Sequence, residues 1–471
     1  GMGGKTKSGF AGIEIPNTTA GLIVALDGSV LLHNSLGHLE TKLLRDVAIG
    51  LHRELATGER YDLPVMLVGA ISHVCELWFE FLSATLKVAC VKVVFYLQHT
   101  EGKKDEREKR MKERTTMYQK AMYGKDGEGN ALAEKDYRSA LVSSLFLTWN
   151  MYKVAIGTFT SLGAMCLVAI GEADSQIVHM CLNGEADFAI FGDGDLFVHG
   201  VPLALVGIRP GVLVEGRHAF HGACWVKLAN ASAAYTKTWY DYGVYGTDGL
   251  LLHTILSGCD YLLGGVVGCG AKAQAVNVVK FVWEENSKEG ARHRVGSEEW
   301  LNIVGRGLRE KFSNKCNVEE YLPKIRKAMC CFRLARVYNS ECVGGDQPVY
   351  TQRFIDPEFS SLTDYERQLG GHPIPDELMS QYVQGHVNPH TKEIELITPP
   401  SAIKDIPEWC GANFNLRFDE TTVRTDIPVL SDDVCLVYSM YCVFCLCMYS
   451  MYIQHRVHLE TFYVILVLYL Y

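Results

Sequence analysis

Short, mostly apolar runs that end near acidic residues recur along the chain. Apolar runs of four to eight residues are typical of strands that are buried on both faces of a parallel sheet. Four such runs are Leu22 to Leu26, Ala89 to Phe95, Met165 to Ile170 and Phe188 to Phe191. We therefore predict buried parallel strands at these four positions.

Segments with helical spacing separate the predicted strands. One helix is predicted from about Glu40 to Leu55. A second, from about Met66 to Leu86, repeats apolar side chains at the spacing of one helix face: Ala70, Val74, Leu77 and Phe81. Strands that alternate with helices predict an α/β fold with a central, mostly parallel sheet flanked by helices.

Two pairs of acidic residues follow the predicted strands. Glu172 and Asp174 form one pair, and Asp193 and Asp195 form the other. Residues two apart in an extended segment point to the same side, and the carboxyl ends of parallel strands line a ligand crevice. Converging carboxylates repel each other unless a cation lies between them, and oxygen ligands suit Mg²⁺ or Mn²⁺. The pattern predicts a divalent-metal site, with a solvated turn at each pair as the alternative.

Asp27 directly follows the first apolar run and is a fifth candidate ligand. A single Asp after a strand is also typical of a helix cap, so both interpretations stay open.

Composition limits the class of protein. The chain has 471 residues, of which 48% are hydrophobic and 21% charged, which predicts a globular protein of one large or two medium domains. The net charge of −9 argues against a surface coated in basic residues. Sixteen cysteines without paired spacings before the last forty residues indicate reduced thiols in a cytosolic or nuclear protein.

A strongly basic segment occupies residues 101–125. Lys103 and Arg110 belong to it, together with Lys104, Arg107, Lys109, Lys112, Arg114, Lys120 and Lys125. One interpretation is a solvated helix with ion pairs four residues apart. The other is a basic helix that binds phosphates over the acidic crevice.

A glycine-rich turn follows the sequence Ser257-Gly258-Cys259-Asp260. Gly265, Gly268 and Gly270 stand before the next predicted helix. Glycines at a helix start allow backbone N–H groups to approach a phosphate closely. Together with the acidic pairs and the basic segment, this helix–hairpin–helix pattern indicates a nucleic-acid phosphodiester as substrate.

Three motifs resemble, in order and spacing, those of the structure-specific 5′-nucleases of the flap endonuclease and exonuclease 1 type. The motifs are Glu172-Ala173-Asp174-Ser175-Gln176, Gly192-Asp193-Gly194-Asp195-Leu196 and Ile255 to Leu262. The resemblance covers roughly residues 20–400. Within the family the chain looks most like exonuclease 1, because the acidic block reads E-A-D and Leu32-His33 follows Asp27.

The resemblance implies a role for each matching residue. Two Mg²⁺ ions, which Mn²⁺ can replace, would be held by Asp27, Glu172, Asp174, Asp193, Asp195 and Asp260. Lys103 and Arg110 at the foot of a helical arch would stabilise charge on the scissile phosphate. His33 would pack on the substrate end. Gly265, Gly268 and Gly270 would bind duplex phosphates, with K⁺ at the hairpin.

The resemblance also implies partners and an organisation into regions. The expected protein is a nuclear monomer with a PIN-like nuclease core that acts on double-stranded DNA with a 5′ end, flap or nick. A clear sliding-clamp peptide is missing, so clamp binding is not expected. The regions are an N-terminal nuclease region (3–99), a basic helical arch (100–150), an internal nuclease region (151–250), a helix–hairpin–helix region (251–345), a C-terminal extension (346–433) and a hydrophobic tail (434–471).

Two features depart from the family pattern. Tyr96 stands where the family has a metal-binding Asp, and a neutral tyrosine is a poor ligand for Mg²⁺. A catalytically impaired nuclease that binds DNA ends is therefore the competing hypothesis. The uncharged stretch Val434 to Ile453 is long enough to span a bilayer, so the tail is either a membrane anchor or translated non-coding sequence.

Overall fold

The structure is a computed structural model. It describes residues 18–37, 39–96, 103–125, 129–191, 195–206, 224–227, 242–269, 272–288, 293–312, 316–341, 349–354, 373–388, 393, 394 and 397. Asp193, Gly270 and the tail at 434–471 lie outside the described residues, so the predictions for them are not addressed by the structure.

A six-stranded sheet forms the centre of the fold. The described strands are β1 (Ile23–Asp27), β2 (Cys90–Tyr96), β3 (Met165–Ala169), β4 (Phe188–Phe191), β5 (Leu203–Val206), β6 (Cys224–Lys227), β7 (Arg336–Glu341) and β8 (Val349–Phe354). The sheet order is β3-β2-β1-β4-β5-β6. Strands β1 to β5 are parallel and β6 runs antiparallel to β5, while β7 and β8 form a separate antiparallel pair. The predicted strands and the mostly parallel sheet are confirmed.

Helices flank this sheet. The described helices are α1 (Gly28–Leu36), α2 (Thr41–Thr57), α3 (Val65–Glu80), α4 (Lys104–Tyr123), α5 (Glu134–Ser144), α6 (Trp149–Ser161), α7 (Ala173–Leu182), α8 (Asp195–His199), α9 (Tyr242–Ser257), α10 (Lys272–Lys288), α11 (Glu298–Phe312), α12 (Val318–Arg333) and α13 (Asp376–Val383). The basic segment forms a single helix, α4. The predicted α/β class is confirmed.

The first hydrophobic core covers both faces of the sheet. Val24, Val93 and Phe188 are fully buried, which explains the apolar runs in the sequence. Full burial of a side chain of this size stabilises the folded state by about 1.5–3 kcal/mol. Gly28 follows β1 where a Cβ would lie 2.5 Å from the ring of Phe95, so only glycine permits this packing.

Helix α3 is the most apolar helix of this core. With the π-helical turn that continues it, the segment Val65–Ala84 is long and apolar enough to cross a membrane, and 61% of its apolar window is buried inside the protein. Among the described residues it alone meets that criterion. Its apolar side chains pack in the sheet core, as predicted from their helical spacing.

Helices α9 to α12 build a second hydrophobic core. Trp300, Ile325 and Leu256 are completely buried in it. Helix α8 borders both cores, because Leu196 belongs to the first and Val198 to the second. The position of a charged residue at the end of one of these helices is therefore fixed by the core into which that helix packs.

The side chain of Gln176 ties helix α7 to β7. Its amide nitrogen donates to the backbone carbonyl of Tyr338 at 3.1 Å, and its carbonyl oxygen accepts from the Tyr338 N–H at 3.0 Å. Gln176 is fully buried, so these two bonds satisfy polar groups that water cannot reach. The acidic start of α7 is thus fixed against the β7–β8 pair.

Candidate functional site

The site lies at the carboxyl edge of the parallel strands. Strand order reverses its direction between β1 and β4, and such a switch point is where parallel α/β sheets bind ligands. Asp27 is the last residue of β1 and Tyr96 the last of β2. Glu172 follows β3 and Asp195 follows β4. The topology therefore brings these residues to one edge, as the sequence predicted.

The local geometry of the acids differs from the prediction. Glu172 is the residue before α7, and Asp174 lies in the first turn of that helix. Asp195 is the first residue of α8. The expectation that each pair is extended is therefore wrong for Asp174 and Asp195, whereas the backbone of Glu172 is extended. Carboxylates near a helix N-terminus are stabilised by the helix dipole and by free N–H groups, which explains why the helices begin here.

Asp27 caps helix α1. Its Oδ1 accepts bonds from the backbone N–H groups of Ser29 at 2.7 Å and Val30 at 3.2 Å. The helix-cap interpretation of Asp27 is confirmed, and it leaves the other oxygen free of these bonds. Burial raises the pKa of Asp27 from 3.8 to about 6, against the lowering effect of the backbone bonds; the charge of Glu172 raises it further. The negative charge of Glu172 therefore acts on the Asp27 carboxyl.

Glu172 is buried and contacts Tyr96. It is 6% exposed, and the hydroxyl of Tyr96 is hydrogen-bonded to its carboxylate. Burial and the charge of Glu172 raise the pKa of Tyr96 well above its ordinary value, so the hydroxyl keeps its proton and donates. At the end of β2, a neutral donor therefore stands beside the buried acid.

Lys103, at the residue before α4, bridges two of the acids. Its Nζ lies 3.4 Å from Glu172 Oε2 and 3.3 Å from Asp260 Oδ2. It also lies 5.3 Å from the centre of the Tyr261 ring, within cation–π distance. Burial alone would lower the pKa of Lys103, but the nearby groups raise it well above its ordinary value. The ammonium is therefore charged and held by its partners.

Arg110 extends this basic contact about two turns along α4. A guanidinium nitrogen lies 3.4 Å from Asp260 Oδ2, and Nε pairs with the buried Glu106. The Arg110 side chain is about half exposed, at 53%, whereas that of Lys103 is 15% exposed. Arg110 thus presents a guanidinium both to the acids and to solvent, where a phosphate could contact it.

The acids have the oxygen atoms that bind a divalent cation, but the described side chains are not grouped closely around one point. Carboxylate oxygens are the ligands that Mg²⁺ and Mn²⁺ prefer. In the described part of the chain, however, no three His, Cys, Asp or Glu side chains are grouped closely enough to hold a metal ion. The predicted two-ion arrangement, which also includes Asp193, stays a prediction.

His33 and Arg114 line the space between α1 and α4. Burial lowers the pKa of His33, and the charges of Arg114 and Arg110 lower it further, so its imidazole is neutral at pH 7. Arg114 is partly buried and contacts the Met111 sulfur at 3.8 Å. A neutral imidazole therefore lies near two guanidinium groups, whose positive charges favour an anion such as phosphate.

The glycine-rich turn after α9 carries Asp260. Gly265 has a positive φ of 64°, and a Cβ there would lie 2.5 Å from the carbonyl oxygen of Leu256. The N–H of Val266 donates to that same carbonyl at 2.9 Å, which closes the turn onto the end of α9. Gly268 also has a positive φ. The turn is therefore rigid, and helix α10 begins beyond it at Lys272.

Two further residues belong to the site and were missed by the sequence reasoning. Tyr261 supplies the ring that Lys103 faces. Arg114 places a positive charge near His33 and lowers the pKa of that imidazole. Arg114 was counted only as one of many basic residues. Its spacing of four from Arg110 places both on one helix face, and this signal could have singled it out.

Comparisons with known proteins give distant matches. No protein-family model matches the chain, and no curated protein sequence matches it. The chain is similar to the catalytic core of Rad2 in complex with a DNA substrate, with 15% identity over 63% of this chain and 74% of that chain and a TM-score of 0.35.

Two other solved structures match to a similar degree. GEN1 in complex with product DNA and a Mg²⁺ ion is 12% identical over 75% of this chain and 82% of that chain, with a TM-score of 0.31. Flap endonuclease-1 from Methanococcus jannaschii is 14% identical over 66% and 93%, with a TM-score of 0.28. TM-scores below 0.5 leave activity to be judged from the chain's own residues.

Proposed function

We propose that this protein is a metal-dependent DNA nuclease that hydrolyses phosphodiester bonds near 5′ ends or flaps. The observation that carries the proposal is the meeting of Lys103 and Arg110, from the basic helix α4, with Glu172 and Asp260 at the carboxyl edge of the sheet. Metal-dependent phosphodiester cleavage can use both groups: acids that hold divalent cations, and basic side chains that stabilise charge on the phosphate.

Each part of the site has a role in this proposal. Asp27, Glu172, Asp174, Asp193, Asp195 and Asp260 would hold two Mg²⁺ ions. Bound Mg²⁺ would lower the pKa of water and polarise the phosphate. Arg110, which is half exposed, would contact the scissile phosphate with two parallel N–H groups. His33 would pack on the substrate end.

The rigid turn supports binding of the duplex. Gly265 and Gly268 hold a positive φ and carry no side chain. The N–H of Gly265 already donates to the carbonyl of Leu262 at 3.0 Å, so the backbone at Gly268 is the part of the turn that would approach a phosphate. The proposal also includes K⁺ binding at this turn. The substrate would be DNA with a 5′ end, flap or nick, and the protein would be a nuclear monomer. The specific likeness to exonuclease 1 also belongs to the proposal and predicts that recessed 5′ ends are cut.

A second candidate function is supported by Tyr96. Its protonated hydroxyl donates to Glu172 where the resemblance expects a metal-binding carboxylate. One metal would then bind weakly, and the protein would act as a DNA-end binding module with little or no cleavage. The two candidates share the DNA contacts and differ only in the chemical step.

The deciding experiment compares cleavage and binding on 5′-labelled flap and recessed-end duplexes in Mg²⁺ and in Mn²⁺. The nuclease proposal expects cleavage by wild type, loss of about 10²-fold or more in Arg110→Ala, and normal cleavage in Lys109→Ala. Lys109 is the matched control because it lies beside Arg110 on α4, is 60% exposed and pairs with Glu113. Tyr96→Asp should cut faster than wild type.

The outcomes separate the candidates. If wild type, Asp195→Ala and Tyr96→Asp all fail to cut while each binds the duplex, the nuclease proposal is wrong and the binding module stands. Cleavage that Asp195→Ala leaves unchanged would place the chemistry elsewhere in the protein.

A further inference from the structure

The side chain of Lys103 occupies the centre of the acidic edge. Its ammonium lies between Glu172 and Asp260, at 3.4 and 3.3 Å from one oxygen of each. Glu172 belongs to the start of α7 and Asp260 to the turn after α9, so one cation joins acids from two different elements. The third side of the ammonium faces the ring of Tyr261.

These three neighbours are all groups that attract a cation. An ammonium has three donors and no acceptor, and here two carboxylates and an aromatic face surround it. The Lys103 side chain is 15% exposed and that of Glu172 is 7% exposed, so water contributes little screening.

A divalent cation shared by Glu172 and Asp260 would take oxygen atoms of the same two carboxylates, each of which Lys103 contacts through one oxygen. Mg²⁺ binds carboxylate oxygens at about 2.0–2.1 Å and repels an ammonium at that distance. Repulsion between the two cations therefore disfavours a state in which Glu172 and Asp260 hold Lys103 and a shared divalent ion at the same time. Lys103 stands just before α4, on a flexible four-carbon stem, so its ammonium can leave without unwinding the helix.

We propose that Lys103 is a built-in counter-ion of the acidic edge, which a divalent cation must displace before it can bind Glu172 and Asp260 together. The contact is autoinhibitory toward metal: the single positive charge of Lys103 offsets part of the negative charge of the two acids and weakens their affinity for metal. This inference concerns cation binding alone. Only its corollary, that the displaced ammonium becomes free to contact a phosphate, rests on the proposed function.

The first test measures Mn²⁺ binding without DNA, from the electron paramagnetic resonance signal of free Mn²⁺ during titration. Lys103→Met keeps the stem and removes the charge, and it should bind Mn²⁺ at least tenfold more tightly than wild type. Lys104→Met is the matched control, since Lys104 is the exposed neighbour in the sequence, and its affinity should stay within twofold of wild type. Equal affinities in wild type and Lys103→Met, including no binding by either, overturn the inference.

The second test uses the unaltered protein and stays decisive if Lys103→Met does not fold. Lysines are acetylated with an N-hydroxysuccinimide ester, with and without Mn²⁺, and the extent at each lysine is read by peptide mass spectrometry. Acetylation of Lys103 should be slow in metal-free protein and rise severalfold with Mn²⁺, while that of Lys104 stays constant. Mn²⁺ binding that leaves Lys103 equally protected would overturn the proposal, whatever the outcome of the cleavage assays.

Discussion

Asp27 gives a sharp prediction about stability and pH. Its folded pKa is raised from 3.8 to about 6, mainly by burial. Below about pH 4 the carboxyl is protonated in both the folded and the unfolded chain. As pH rises toward 6, the unfolded chain releases the proton first, so the free energy of unfolding falls. Above the folded pKa the whole of this contribution is lost.

The size of the effect follows from the shift. A rise of about two pKa units corresponds to at most about 3 kcal/mol at neutral pH. Because Asp27 is partly exposed, about 1–2 kcal/mol is the realistic range. Asp27→Asn keeps an oxygen that can accept from Ser29 and Val30 but carries no charge. It should therefore be more stable than wild type by this amount at pH 8 and equal to it near pH 4.

The assay is urea unfolding of both proteins in EDTA at several pH values between 4 and 8. Asp27→Ala is the control: it also removes the pH dependence, but it loses the helix cap, at a cost of about 0.5–2 kcal/mol at every pH. A difference between wild type and Asp27→Asn that is constant across pH would refute the reasoning. So would a wild type that gains stability relative to Asp27→Asn as the pH rises.

Two further substitutions test the supports of the site. Gly265→Ala should destabilise the protein by more than about 2 kcal/mol, because the added Cβ would lie 2.5 Å from backbone atoms. Gly264→Ala is the control: the space around it is open, so it should cost about 1 kcal/mol, and similar losses for the two variants in thermal unfolding would contradict the prediction. Gln176→Leu should cost about 2–3 kcal/mol, because it leaves the buried N–H and carbonyl of Tyr338 without partners; urea unfolding within 0.5 kcal/mol of wild type, roughly the level of a neutral surface change, would count against it.

The sheet could be predicted from the sequence because its signals are local. The strands β1 and β4 are buried on both faces, so each reads as a continuous apolar run in the sequence. Helix α4 was also predictable, but only as a helix. Lys109 pairs with Glu113 one turn away, as the solvated-helix interpretation expects, while Arg110 reaches Asp260; phosphate binding by the helix stays a prediction.

The geometry of the acids could not be predicted from their spacing alone. A spacing of two reads as an extended pair, but Asp174 and Asp195 lie in first helical turns, where free N–H groups favour carboxylates. The bridge made by Lys103 depends on residues that are distant in the sequence, Glu172 and Asp260. Nothing near Lys103 in the sequence distinguishes it from Lys104, which is exposed.

The two hydrophobic cores give the site a mechanical property. Glu172 is anchored to the sheet core through α7, and Asp260 is anchored to the helical core through α9. A cation that contacts both acids therefore links the two cores. Unfolding of either core would then have to break this link, so a bound cation should make the unfolding of the two cores more cooperative.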